Sequence, residues 1–389
     1  MMVAFLFSCA GDEADPEKGD EKRISRKAEI MMDKRYIQPY ANAQLNAFCP
    51  ATLQAEGELA GKITFNETEI PGGTQFLYLL DNRRAVVDFG LALFCVDLER
   101  QKTLNFYRKS SNAFIRAAEG PWFFYVSSFR LVRAEFDRVN VNDDGVFVPG
   151  LGEFSFLACF SPEEETFIAG IHNLGAPDQP VPSFEVYRKK YDALDYIWRL
   201  EIPGGVLTPP IDRTGQVILA ASNIVSVVNN EGKKKKIIGG DFEVLSASVG
   251  PDDQLYMVLL FEDGKKLVAY DLFGEKKWAC NIDLEELVQP PVVNDLATVY
   301  LVEKNGLTAY AEAKNLWHYP LLSGHPAVTA INDGMVVIAD GSRLVCLDEL
   351  GEERWVYVDK EGDNFVSPPV IDDRGQVLAA SDKKIIILK

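Results

Sequence analysis

The strongest constraint on this chain is an internal repeat of about 40 residues, because a period of that length admits few architectures. Passages in the second half share one plan: small or proline residues, a β-branched pair, a turn with Asp or Asn, then an apolar strand. Pro209, Pro210, Ile211 and Asp212 lead through Gly215 to Val217, and Pro368, Pro369, Val370, Ile371 and Asp372 lead through Gly375 to Val377. Pro290, Pro291, Val292, Val293 and Asn294 make a third copy, Ala330, Ile331, Asn332, Asp333 and Gly334 a looser fourth. Gly250, Pro251, Asp252 and Asp253 keep only the turn. The strand-entry residues Val217, Leu255, Val299, Val336 and Val377 are 38, 44, 37 and 41 apart. An independent marker keeps step: Trp198, Trp278, Trp317 and Trp355 are 80, 39 and 38 apart, with Ile237 at the skipped place.

Each period subdivides into short strands separated by turn residues, the pattern of antiparallel meanders. Val217 to Ala221 and Ile224 to Val228 are the first pair, and later second strands are Leu267 to Tyr270, Leu307 to Tyr310, Leu344 to Leu347 and Ile385 to Leu388. One four-stranded sheet per period cannot bury both of its faces alone. Radial packing covers both, and a closed ring protects the terminal edges. The fold class predicted is therefore all-β: a single β-propeller of four-stranded antiparallel blades, eight blades by count, with seven as the alternative. The first half fits more loosely. Gln75 to Leu80, Ala85 to Asp88 and Leu91 to Asp97 read as strands, as do Trp122 to Val126, Leu131 to Phe136 and Gly145 to Val148. The last repeat stops at Lys389, one strand short, and Gly57 to Phe65 is the candidate to supply that outer strand.

The Pro-Pro-Val/Ile entry, the Asp and Gly of the turn and the Gly-Glu-x-x-Trp of Gly274 to Trp278 and Gly351 to Trp355 resemble the PQQ-like (quinoprotein alcohol dehydrogenase-like) propeller repeat. The resemblance covers residues 185–389 clearly and the rest faintly. It implies that Trp198, Trp278, Trp317 and Trp355 are structural, docking one blade on the next. It also implies two functional branches. Quinone-dependent enzymes of that family carry adjacent cysteines over the quinone and a calcium site, whereas no two cysteines are adjacent here. The other branch holds non-catalytic lipoprotein scaffolds of the BamB type.

The N-terminus points to that second branch. Leu6, Phe7, Ser8 and Cys9 follow an apolar start and precede Ala10, Gly11, Asp12 and Glu13, which resembles a lipoprotein signal with its lipobox. Cys9 would then be the acylated residue, held at the membrane by its acyl chains. Only eight residues precede it and none is basic, which departs from a full signal. The expected organisation is 1–9 signal remnant, 10–45 charged tether with a short helix over 27–37, and 46–389 propeller.

Composition narrows the partners. With 40 Lys+Arg against 58 Asp+Glu, the net charge of -18 disfavours phosphate backbones and anionic lipid surfaces. The run Lys233 to Lys236 reads as a hairpin tip. Six dispersed cysteines and three scattered histidines (His172, His318, His325) form no zinc-ligand spacing. Cys95 and Cys346 share a repeat slot with Ser226, Ala269 and Ala309, which suits a small buried residue better than a nucleophile. Asn140, Asn142, Asp144 and Gly145 open like a calcium loop, but Leu151 stands where the bidentate Glu is needed. The paired Asp252/Asp253 and Asp372/Asp373 recur at one turn position and read as turn caps rather than an acid–base pair. His318 and His325 read as loop residues between blades. The expectation is a non-enzymatic scaffold with no cofactor and no metal, lipid-anchored in a bacterial envelope (outer membrane, periplasmic or surface face). It would bind a protein or envelope component and no nucleic acid. A small-molecule enzyme using the axial funnel, quinone-dependent or otherwise, is the alternative, and an unprocessed cytoplasmic propeller a third.

Overall fold

The computed structural model describes residues 48–49, 51–65, 76–108, the strands between 115 and 201, and 216–389, apart from single positions. Side chains between 105 and 215 lie outside this description. The tether, the helix expected over 27–37, Cys9 and the calcium-like side chains of Asn140, Asn142 and Asp144 fall outside it too. Among the described residues there is no α-helix, and the strands fall into eight sheets. In chain order, sheets I to VII span 76–108, 115–147, 153–201, 217–239, 243–281, 292–320 and 327–358. Sheet VIII spans 370–388 and includes Leu59–Thr64. Within each sheet, strands consecutive in sequence pair antiparallel, so the chain is a succession of meanders. Strand bounds match the expected ones at Val217–Ala221 and Ile224–Val228 and differ by a residue or a few elsewhere.

Sheet VIII is completed from the other end of the chain. Leu59–Thr64 pairs antiparallel with Lys384–Leu388, setting Ile63 opposite Ile385, and Lys389 exchanges backbone hydrogen bonds with Glu58. The predicted strand over 57–65 is this one. An apolar cluster runs from sheet VII through VIII into sheet I: Val337 and Cys346, then Ile63, Val377 and Ile386, then Leu77, Val87 and Phe94. Phe65, at the end of the closing strand, packs on Phe89 and Phe94 with centroids 5.1 and 5.6 Å away. The N-terminal sheet therefore lies against the C-terminal one. Further clusters join IV to V, V to VI and VI to VII.

The recurrent prolines have a polar role. Ser248 Oγ on the first strand of sheet V donates to Pro291 O at 2.7 Å, and Thr329 Oγ1 of sheet VII donates to Pro369 O at 2.6 Å. Each hydroxyl thus reaches the Pro-Pro entry of the following sheet, where the proline carbonyl needs a donor. The turns close as expected. Oδ1 of Asp271, Asp348 and Asp372 each accepts from two backbone N–H groups, two and four residues on, at 2.8 to 3.0 Å. These are folding devices of the Asx type.

Three sequence readings need correction, the third at Ser226 below, and one strand was not foreseen. The turn before the lysine run is Asn229 to Gly232, and Lys234–Gly239 is the outer strand of sheet IV, so Lys234, Lys235 and Lys236 sit on an exposed edge. Charge there discourages pairing with another strand. His318 lies within the strand Lys314–Pro320, not on a connection. The unforeseen strand is Phe48–Cys49, which pairs parallel with Ala327–Ile331, the first strand of sheet VII. Two residues without a repeat equivalent leave no periodic signal.

Two buried hydroxyls are expected to respond oppositely to deletion. Thr329→Val strips Pro369 O of its donor and should cost about 1–3 kcal/mol in urea unfolding. Ser226 Oγ is fully buried with no hydrogen-bond partner among the described residues. The register sets Val227, not Ser226, level with Ala269, Ala309 and Cys346, so Ser226 lies on the opposite strand face from the slot the sequence assigned it. Ser226→Ala should be neutral or stabilise by about 1 kcal/mol. In the closing strand, Ile63, 1% exposed, should cost about 2–5 kcal/mol when cut to Ala.

Candidate functional site

Alternation along the strand Gly306–Ala311 gives its two faces different surroundings. Leu307 and Ala309 face sheet VII and are buried there with Trp317 and Tyr319. Gly306, Thr308 and Tyr310 face sheet V, where they meet Cys280 and Asn281 across a cleft of about 800 Å³. The connection after sheet V adds Asp283, Glu285 and Glu286, and the turn of sheet VI adds Glu303, Lys304 and Asn305. Four carboxylates thus face one ammonium. That ammonium is engaged, since Lys304 Nζ pairs with Glu286 and holds the Glu286 carboxyl below its ordinary value.

His318 is held in place at this cleft. Its Nδ1 lies 2.9 Å from Thr308 Oγ1, and its ring covers Gly306 so closely that a Cβ there would meet Cε1 at 2.3 Å. Glu303 accepts from Glu285 N at 3.3 Å, and burial raises its carboxyl above the ordinary value. Tyr310 is 7% exposed and lines the cleft, and no hydrogen bond to its hydroxyl is found among the described residues. Burial, with Cys280, Glu303 and Asp283 nearby, pushes that phenol up to about 12. Sequence reasoning missed this site because its residues come from three non-repeating segments. One signal was there: period-two alternation sets His318 on the face opposite Trp317 and Tyr319.

Trp278, Trp317 and Trp355 lie at seams between sheets. Trp317 Nε1 donates to Glu349 O of sheet VII at 2.9 Å, and its ring lies under Gly351, where a Cβ would meet it at 2.6 Å. Gly351 has φ +80°, so both the turn and the close approach require glycine. Trp355 packs in the cluster shared by sheets VII, VIII and I, with its ring 3.2 Å from the Cβ position of residue 57. Trp278 packs in the cluster between sheets V and VI, 6.0 Å from the Tyr256 ring. Trp198 pairs with Val186 in sheet III, and its side chain is outside the described residues. The carbonyl of Ile237 occupies the corresponding place beneath Gly274. Cys95 and Cys346 are fully buried, and burial pushes the Cys346 thiol up to about 12, away from nucleophilic use.

Among the described residues, Asp359, Glu361 and Asp363 are the three metal-ligating side chains whose donor atoms converge. An ammonium already fills that space. Lys384 Nζ lies 2.7, 2.8 and 3.0 Å from Asp359, Glu361 and Asp363, with its side chain only 2% exposed. Lys383 also reaches Asp363 at 2.9 Å, and Lys62 of the closing strand pairs with Glu361. The cluster therefore ties the connection after sheet VII to two strands of sheet VIII. Burial disfavours the charges, but the lysines outweigh it and hold Asp363 below its ordinary value, while the carboxylates hold Lys384 above its own.

No protein-family model matches the chain, and no curated protein matches it. Solved structures do. Sqt1 of Saccharomyces cerevisiae superposes with a TM-score of 0.62 at 11% identity, over 86% of this chain and 99% of that one. Hsv2 of Kluyveromyces lactis gives 0.53 at 10%, over 75% and 98%. The WD40 domain of Pan2 from Neurospora crassa gives 0.51 at 7%, over 87% and 97%. At such identities the likeness concerns fold alone, and the fold is a β-propeller.

Removing the buried ammonium leaves the carboxylates facing one another. Lys384→Met should destabilise by about 3–5 kcal/mol. The pH window follows from the two directions of shift. The depressed Asp363 contributes above its ordinary value of 3.8 and loses its contribution as pH falls through the lower folded value. The elevated Lys384 contributes below 10.5 and loses its share as pH rises through the higher folded value. Denaturant midpoints of wild type and Lys384→Met should therefore differ across the neutral range and converge at both extremes.

Proposed function

We propose that this chain is a non-enzymatic binding propeller of the PQQ-like repeat branch, held at a bacterial envelope membrane through acylated Cys9 and engaging a protein or envelope ligand. The ring counts eight blades in this reading. The acid-lined cleft between sheets V and VI carries the proposal, because it offers concave, charged, accessible surface built on rigid strands. Binding sites on propellers sit on such loops and seams while the repeat supplies the frame.

The tether over 10–45 is long enough to present the propeller well clear of a membrane surface, roughly 3.3–3.6 Å per residue when extended.

Expression of the full chain in a bacterial host, followed by membrane fractionation and mass spectrometry of the N-terminus, tests the anchor. Acylated Cys9 and release of Cys9→Ser into the soluble fraction are expected. An intact Met1 with a free Cys9 thiol in a soluble wild type contradicts the envelope role.

A further inference from the structure

We propose that the cleft between sheets V and VI is a binding site for an organic cation, a guanidinium or protonated amine. Two separate observations point there. The first is charge: Asp283, Glu285, Glu286 and Glu303 converge on one cleft, and the single lysine among them is consumed by Glu286. Lys265 reaches the same connection, yet its ammonium donates to the carbonyls of Leu284 and Glu285 at 2.7 and 2.9 Å, and among the described residues no ion pair to Asp283, Glu285 or Glu303 is found. The second is Tyr310. Its side chain is more than nine-tenths buried, its surface lines the cleft, and no partner for its hydroxyl is found among the described residues. The small exposed part of this otherwise buried residue lies on the cleft, so its phenol oxygen is held in place and free to accept from a bound ammonium or guanidinium.

The donor set favours an organic cation over a bare metal ion. The carboxylates are dispersed along the connection and the turn, and the convergent triad found among the described residues lies elsewhere, around Lys384. An elongated cation with several N–H groups can reach dispersed oxygens in turn, as a planar guanidinium does with carboxylates. His318, fixed over Gly306 and bonded to Thr308, borders the site on its outer side. A Lys or Arg side chain of a protein partner and a free polyamine share this chemistry. The inference rests on the binding-propeller reading above and not on the lipid anchor.

The test uses the purified full chain and two probes, a capped hexa-arginine peptide and spermine, measured by calorimetry at low salt. Saturable binding of at least one probe is expected, and the tighter of the two identifies the source. The triple variant Asp283→Asn, Glu285→Gln, Glu303→Gln should weaken it at least ten-fold, and Tyr310→Phe by several-fold. A control triple at the opposite end of the strands, Glu275→Gln, Glu349→Gln, Glu352→Gln, removes as much charge and should leave binding within two-fold. Equal weakening by both triples would assign the effect to overall charge and overturn the site, as would no binding of either probe or an unaffected cleft triple. If the cleft triple fails to fold, the exposed Asp283→Asn alone and Tyr310→Phe decide by the same criteria. Membrane partitioning does not enter this assay, so its failure leaves the anchor untouched and failure of the anchor leaves it standing.

Discussion

The structure depends on one set of backbone hydrogen bonds, those between Leu59–Thr64 and Lys384–Leu388. Without them sheet VIII has a bare outer edge at Lys384–Leu388 and its neighbour, sheet I, loses Phe65 from the aromatic contact with Phe89 and Phe94. An open edge is a template for pairing with other chains, and a ring removes it. The closure joins residues more than 300 apart in sequence, so its chain-entropy cost is large, and backbone pairing alone is a thin return on it. The Lys384 cluster adds to the same seam: through Lys62 and Glu361 it ties the closing strand to the connection after sheet VII. Burying those charges is itself expensive. What the cluster supplies is register, since a slip of the closing strand by one residue would carry Lys62 to the other face.

The same logic explains why the repeat looks as it does. A tryptophan on the outer strand of one sheet needs a bare turn on the next, and Gly351 under Trp317 provides it. Where the partner position carries Ile237, its carbonyl makes the approach to Gly274. Pro-Pro at the entry to sheets VI and VIII places a carbonyl within reach of a hydroxyl on the preceding sheet. Side chains that recur every 40 residues therefore mark contacts between neighbouring sheets, and the energy of the wheel is spread over many similar seams.

What recurs was legible in the sequence, and what does not recur was hidden. Strands such as Val217–Ala221, the Asx turns at Asp271 and Asp348, and the small buried slot of Cys95 and Cys346 each had copies to be read against one another. The closing strand was legible from a missing element rather than a present one. Phe48–Cys49 had neither length nor copy, and its parallel pairing is set by tertiary placement. Lys384 looked like an ordinary strand-end lysine; its burial is decided by Asp359, Glu361 and Asp363, some 20 residues earlier on the connection after sheet VII. The cleft is assembled from a connection, a turn and two strand faces that diverge between repeats, which is where a binding surface is free to vary.

Hydrogen exchange in the closing strand tests the ring most directly. The amides of 59–64 and 384–389 should open only with the whole molecule, at the same free energy as the core strands Val336–Asp340 and Arg343–Leu347. Exchange of both segments at free-edge rates, while those core strands stay protected, would show that the wheel is open and would contradict the account.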